Sequence, residues 1–171
     1  MTDPQLIKLY DEIELRAYSA TMERPIWPCR RGCDACCRRL ARPPEVTAVE
    51  WQLMAQGLQA LPVDTQAAIG QKIAALANWK PDATDFVVCP FLDESEGACL
   101  IYAQRPAACR MYGFYVSRQS NMWCQQIEEL YEAGALEGIT LGNYSAMQRQ
   151  LGQAFGDVES IVIWFQQAAM D

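Results

Sequence analysis

Eight cysteines carry the chemistry of this chain, and four of them fall within nine positions, in CRRGCDACC at residues 29–37. The first group, Cys29, Cys33, Cys36 and Cys37, has the spacing C-x3-C-x2-C-C. The second, Cys89, Cys99, Cys109 and Cys124, is spread as C-x9-C-x9-C-x14-C. Thiolates are soft ligands that suit Zn(II), Cu(I) and iron–sulfur clusters. A tight loop with Gly32 inside and prolines on either side supplies several of them at little further cost in ordering. Its backbone amides can turn toward the sulfurs, where N–H···S bonds offset negative charge. Arg24, Arg30, Arg31, Arg38, Arg39 and Arg42 crowd the same segment, in a chain with only fourteen Lys and Arg. Four thiolates around Zn(II) or a four-iron cluster leave a net charge of about -2. Basic neighbours stabilise that charge and lower thiol pKa values, which favours a metal over the proton.

Other uses of these thiols fit less well. An even number of cysteines permits a disulfide framework. However, MTDPQLIKLYDEIELRAY has charges throughout, so no signal peptide is expected and the expected compartment is the reducing cytoplasm. Cys33-Asp34-Ala35-Cys36 is formally C-x-x-C, but no strand precedes it as a thioredoxin-like dithiol requires. A catalytic cysteine lacks its usual activator, because the chain has no histidine. Inert burial explains one or two cysteines and not four in nine residues.

The elements that must hold the thiols read as helices. At 171 residues, 51% hydrophobic and 20% charged, the chain can build one real core, and a single domain over 1–171 is expected. Its cysteine-cluster core runs from about 24 to 124 and its helical C-terminal part over 125–171. Leu6, Leu9, Tyr10, Ile13 and Ala17 mark one face of a first helix, capped by Thr2 or Asp3 with Pro4 in the first turn. Thr47 and Glu50 form a capping box that opens a second helix, and a third runs from Asp64 to about Trp79, ended by Pro81. FVVCPFL and ACLIY flank an acidic turn with Gly97 and predict a small hairpin, and Pro106 starts a helical turn through Arg110. Helical patterns follow from Cys124, with Asn143 and Asp157 as caps and Gly134, Gly142 and Gly156 as stops. The fold class expected is mainly α: a compact helical domain with a small β-hairpin and irregular, cysteine-rich metal-binding loops.

The net charge of -7 disfavours nucleic acid and anionic membranes and suits a basic protein as partner. No run of apolar residues is long enough to span a bilayer. Adjacent cysteines seldom both reach one tetrahedral ion, because neighbouring side chains diverge. Cys36 and Cys37 therefore suggest two metals, or a cluster that accepts thiolates from different directions, and eight sulfurs divide into two sets of four. Cys89-Pro90 is similar to the ligand-proline pair of bacterial ferredoxins.

C-x3-C-x2-CC, then CPFL, then CLIYAQRPAACRMYGFY, then NMWC, together resemble the YkgJ-like cysteine-cluster family, whose CxxCxxCC domain is described as zinc- or iron-chelating. The likeness covers residues 29–124 in order and is most specific over Cys99–Tyr102, Arg105-Pro106 and Cys109-Arg110. The first group departs from it, with three residues between Cys29 and Cys33 where many members have two. The resemblance implies that all eight cysteines are metal-ligand candidates and that the bound species is zinc or an iron–sulfur cluster. Within the motif, Tyr102, Arg105 and Arg110 invite supporting roles, the arginines toward cluster sulfur or a carboxylate such as Asp93; the alternative is that Tyr102 is core, Pro106 sets the helix start and the arginines pair with acidic neighbours. The aromatic run MYGFY with Trp123 reads as ordinary core, or as an apolar wall around the metal.

The expected function is a redox or electron-transfer protein carrying an iron–sulfur cluster. The alternative is a zinc-stabilised structural or protein-interaction module, and a third reading is metal storage or delivery. Structural thiolate sites in zinc-finger peptides contribute roughly 10–16 kcal/mol, against about 5–15 kcal/mol for a whole domain. A strong chelator should therefore unfold the middle of the chain, read as loss of near-UV dichroism and of melting temperature; an unchanged melt overturns the expectation.

Overall fold

In the computed structural model, residues 3–23, 26–80, 86–117 and 123–169 are described. Asp3 Oδ1 accepts the Gln5 N–H at 2.7 Å and opens α1 (Pro4–Glu23). Leu6, Leu9, Tyr10 and Ile13 recur at helical spacing and are buried, as the periodicity predicts. Thr47 and Glu50 make the reciprocal capping box that starts α2 (Ala48–Gln59). The following helix, α3 (Val63–Ala75), gives way to a single tighter turn over Leu76–Asn78. It ends short of the expected Trp79, and Pro81 lies outside the described residues.

The rest is built from short pieces. Strand β1 (Glu45–Val46) pairs antiparallel with β6 (Glu159–Ser160), Glu45 opposite Ser160. Strands β2 (Leu92–Asp93) and β3 (Ala98–Cys99) form the expected hairpin around Gly97, and α4 (Ala107–Met111) follows Pro106. Strand β4 (Tyr115–Val116) runs parallel to β5 (Gly142–Asn143). Among the described residues, α5 (Gln125–Glu132), α6 (Tyr144–Phe155) and α7 (Ile161–Ala168) complete a mainly helical architecture. None of the helices there is long and apolar enough to cross a membrane.

Two expected boundaries move. Gly134, at φ +71°, does end α5: Ala135 N–H reaches Leu130 O at 2.9 Å and Gly134 N–H reaches Tyr131 O at 3.0 Å. Gly142 ends no helix. It is the buried first residue of β5, and a Cβ there would collide with the Tyr115 ring of the paired strand. Asn143 caps α6 as expected, accepting the Ala146 N–H at 3.0 Å. Asp157 caps nothing, because pairing with β1 keeps residues 159–160 extended; Ser160 takes that place, its Oγ accepting the Val162 N–H at 3.3 Å.

Two buried clusters result. Leu6, Leu9, Ile13, Trp27, Met111, Phe114, Tyr115, Ile127 and Leu151 belong to the first. Val46, Trp51, Met54, Ile69, Ile73, Phe91, Leu92, Ile101 and Ile161 belong to the second. One carboxylate ties the elements between them. Glu50 is 3% exposed. Its Oε2 accepts the Thr47 N–H and hydroxyl, each at 3.0 Å, and its Oε1 accepts the Tyr10 hydroxyl at 3.2 Å and the Ala107 N–H at 2.8 Å. The α2 start, the middle of α1 and the first residue of α4 thereby converge on one side chain. Glu50→Ala would strand four interior donors, a loss of about 3 kcal/mol or more in urea unfolding. Glu50→Gln keeps an acceptor at one oxygen and should lose less; equal, small losses would show that the junction bears little weight.

Candidate metal centre

The cysteine loop is a chain of tight turns held at both ends. Gly32 sits at φ +91°, Cys33 N–H reaches Arg30 O at 3.0 Å, and Arg38 N–H reaches Asp34 O at 3.0 Å. Arg38 closes on Asp34 at 2.5 Å and donates to Glu94 O at 3.1 Å, which fastens the loop to the tip of the β2–β3 hairpin. Downstream, Leu40 forms a bridge with Val87, and Cys89 N–H donates to Cys37 O at 2.7 Å. The two cysteine groups are thus joined through the backbone. The hairpin register places Cys99 opposite Leu92, whose own N–H binds Cys89 O at 3.1 Å. Cys109 rides on α4. Cys124 starts α5, its carbonyl accepting the N–H groups of Ile127 and Glu128, both at 3.1 Å.

All eight cysteines carry free thiols. Cys29 and Cys124 pack against the first buried cluster. Cys89 is part of the second, and Cys37 and Cys99 pack on it. Burial, and then the charges of Cys124, Cys33 and Cys36, push the Cys29 thiol up to about 12. A hydrogen bond with Cys36 favours the Cys37 thiolate, but one with Cys89, burial and the charge of Cys99 outweigh it and also bring that thiol to about 12. Its hydrogen bond to Cys37, then burial, raises Cys36. Burial, then Cys36, Cys37 and Cys99, raises Cys109, and burial raises Cys99. These thiols hold their protons at neutral pH because each additional thiolate would sit among others in a medium of low polarity. A cation removes that penalty.

The sulfurs are neighbours and not a closed ligand shell: among the described residues no three Cys, Asp or Glu side chains are drawn together as a metal's ligands. Two details nonetheless fit a metal-bound thiolate. The Trp27 indole N–H is buried without a hydrogen-bond partner among the described residues, and it lies toward Cys29, whose charged form it favours. Gly113, at φ +89°, makes room for the same sulfur: a Cβ there would stand 2.5 Å from Cys29 Sγ. Cys29, Cys33, Cys36 and Cys109 open on a cavity of about 350 Å³, walled by the second half of α1 and by residues 102–114. Cys109 meets solvent on this side, while its thiol is surrounded closely enough for burial to raise its pKa.

The supporting residues divide. Arg105 lies 3.5 Å over the Tyr102 ring and donates from Nε to Tyr102 O at 2.9 Å, and its charge favours the thiolates of Cys99 and Cys109. Tyr102 is half-buried on the cavity wall, with Arg31 on it as well at 5.6 Å. Arg110 also lines the cavity, and of its two expected uses the structure shows pairing with an acidic side chain. It pairs with Glu14 of α1, donates to Arg105 O at 2.7 Å and Ala103 O at 2.6 Å, and lies over Tyr10. Asp93 is not its partner, because that carboxylate accepts from Ser95 and Glu96 of its own turn. Arg24 lies outside the described residues. In MYGFY, Met111, Phe114 and Tyr115 are core while Tyr112 faces the cavity and donates to Trp123 O at 2.8 Å. Sequence periodicity could not find the contribution of α1 to the cavity, nor Trp27; Gly113, a glycine inside an aromatic run, was a visible signal. Gly113→Ala should cost about 2 kcal/mol from backbone strain and displaced sulfur and lower metal content, checked by melting and metal analysis; a variant with full metal content and wild-type stability would show the cradle is idle.

Compared with known families, residues 28–129 match CxxCxxCC, described as a "Putative zinc- or iron-chelating domain". No curated protein and no solved structure matches the chain. The family match spans more than half of the sequence and takes in the loop, the hairpin, α4 and the start of α5, which between them carry every cysteine, and the chain therefore belongs to the CxxCxxCC family.

Proposed function

We propose that the eight thiols form two four-thiolate centres, one from Cys29, Cys33, Cys36 and Cys124, the other from Cys37, Cys89, Cys99 and Cys109, and that these carry iron–sulfur clusters in a redox protein. The observation behind this division is that Cys29 and Cys124 pack on one buried cluster while Cys37, Cys89 and Cys99 belong to the other; Cys33 and Cys36 lie close enough to Cys29 for their charges to act on it, and Cys37 and Cys99 act in the same way on Cys109. Successive side chains leave a turning backbone in different directions, so two adjacent cysteines serve two centres more readily than one.

An iron–sulfur cluster at each set would supply one-electron transfer. The chain's own residues supply the surroundings. The Trp27 N–H and the Arg105 and Arg31 guanidinium groups favour negative charge on nearby sulfurs, which would make reduction easier to accommodate. The stacked Trp27–Phe114 pair, with centroids 5.5 Å apart, keeps water from one side of Cys29. No G-x-G-x-x-G fingerprint occurs in the sequence, so electrons would come from a protein partner and not from a nucleotide held by this chain.

A second reading, two structural zinc ions, is favoured by the same four-plus-four division, since structural zinc sites made of four thiolates are closed and tetrahedral. Anaerobic purification with iron, zinc and sulfide analysis and a visible spectrum separates them. Broad brown absorption with stoichiometric iron and sulfide is expected, whereas a colourless protein with about two zinc ions replaces the first reading with the second. Cys124→Ser and Cys99→Ser should each halve the metal content. Complete loss from either variant would overturn the division into two centres, and no metal in the wild type would overturn both readings.

A further inference from the structure

The cavity above the thiols is only partly a thiol surface. Cys29, Cys33, Cys36 and Cys109 form one side, but the facing wall is the outer half of α1, which offers no ligating group except Glu14. Glu14 is already paired with Arg110, and Arg110 is itself fixed by two carbonyls. That charge pair is complete.

Two other cations on the wall are not neutralised in this way. Among the described residues Arg38, Arg42 and Arg110 each meet a carboxylate, while Arg30 and Arg105 meet none. Arg105 is also the better placed. Its guanidinium carbon lies 3.5 Å from the centre of the Tyr102 ring and only Nε is engaged, so the terminal nitrogens of its fork are free of protein acceptors among the described residues. A guanidinium fixed on its face and open at its edge is a carboxylate receptor, because two parallel N–H···O bonds match the two oxygens. Around it Tyr18, Tyr102 and Tyr112 present ring surface, and Tyr18 is 61% exposed at the cavity rim. Arg30 and Arg105 thus give one edge of a concave, partly aromatic surface two cations without carboxylate partners among the described residues, facing the thiols across it. A volume of about 350 Å³ is at the small end of ligand sites.

We propose that this cavity binds a small organic carboxylate with an apolar or aromatic body, held by Arg105 and Arg30 against the thiol side of the site. The proposal rests on the metal reading only for its consequence, which is that the bound molecule would lie beside three thiols of the first centre and Cys109 of the second. The competing role for the two arginines is charge balance for the thiolates alone, and the two roles give different results in a binding experiment.

The test uses the full chain as purified with its metal, metal content measured on the same sample, and ligand-observed NMR with benzoate, phenylacetate and a panel of similar carboxylates, each beside its carboxamide. Carboxylates should bind and their amides should bind about tenfold more weakly or not at all, a difference of about 1.4 kcal/mol. Arg105→Gln should weaken carboxylate binding by a similar factor, and Arg105→Lys should restore only part of it, since charge returns without the fork. Arg30→Gln should show a smaller loss. Circular dichroism and metal content confirm that each variant is folded and loaded. Failure of every carboxylate to bind, equal binding of acids and amides, or unchanged affinity in Arg105→Gln would each overturn the proposal. A metal-free chain that still binds carboxylates would count against the metal reading while leaving the cavity assignment standing.

Discussion

Eight ionisable sulfurs gathered into one small volume can be neutral together, or charged around a cation, but not charged alone. That constraint organises the middle of this protein. Burial, hydrogen bonds between thiols and mutual repulsion raise Cys29, Cys36, Cys37 and Cys109 well above their ordinary range, so proton and metal compete for the same sulfurs. Arginines alone do not resolve the competition. Most are spent on carboxylates, carbonyls or aromatic rings, and those that influence Cys99 and Cys109 only soften the effect of burial.

The metal region owes its shape to links between elements distant in sequence. Cys89 joins the loop through a backbone bond to Cys37, and α4 is seated by the Ala107 N–H on Glu50. The same carboxylate closes the start of α2 and binds Tyr10. A movement of α2 would therefore be felt at Cys109 through the Glu50–Ala107 bond. Acceptors inside a protein exert this leverage because a donor left behind has no water to turn to.

Much of this was legible in the residues. The amphipathic face of α1, the Thr47–Glu50 capping box, the hairpin about Gly97 and the turn after Pro106 all follow from local chemistry, which does not need the rest of the chain to be known. The gathering of the thiols was legible as a need, from their number and the lack of histidine, but that Cys29 and Cys124 pack on one cluster and Cys37, Cys89 and Cys99 on the other depends on tertiary packing. What escaped was non-local. Asp157 has the right side chain for a cap, and the pairing of the next residues with Glu45 and Val46, far back in the chain, overrules it. Gly142 resembles a helix stop and instead makes way for the ring of Tyr115. Arg110 pairs with a helix that the cysteine motif does not include.

The pairing of β1 with β6 has a consequence for the order of events during synthesis. Residues 45–46 emerge from the ribosome long before residues 159–160, and Ile161 and Val162 complete the buried cluster on which Cys37, Cys89 and Cys99 rest. A chain that grows from its N-terminus displays the CRRGCDACC thiols early, while the packing on which Cys37, Cys89 and Cys99 rest is still unmade. Until then those sulfurs lack the burial that raises thiol pKa values in the folded protein. The last helix, which carries no cysteine, therefore completes the packing beneath those thiols only once nearly all of the sequence has been made.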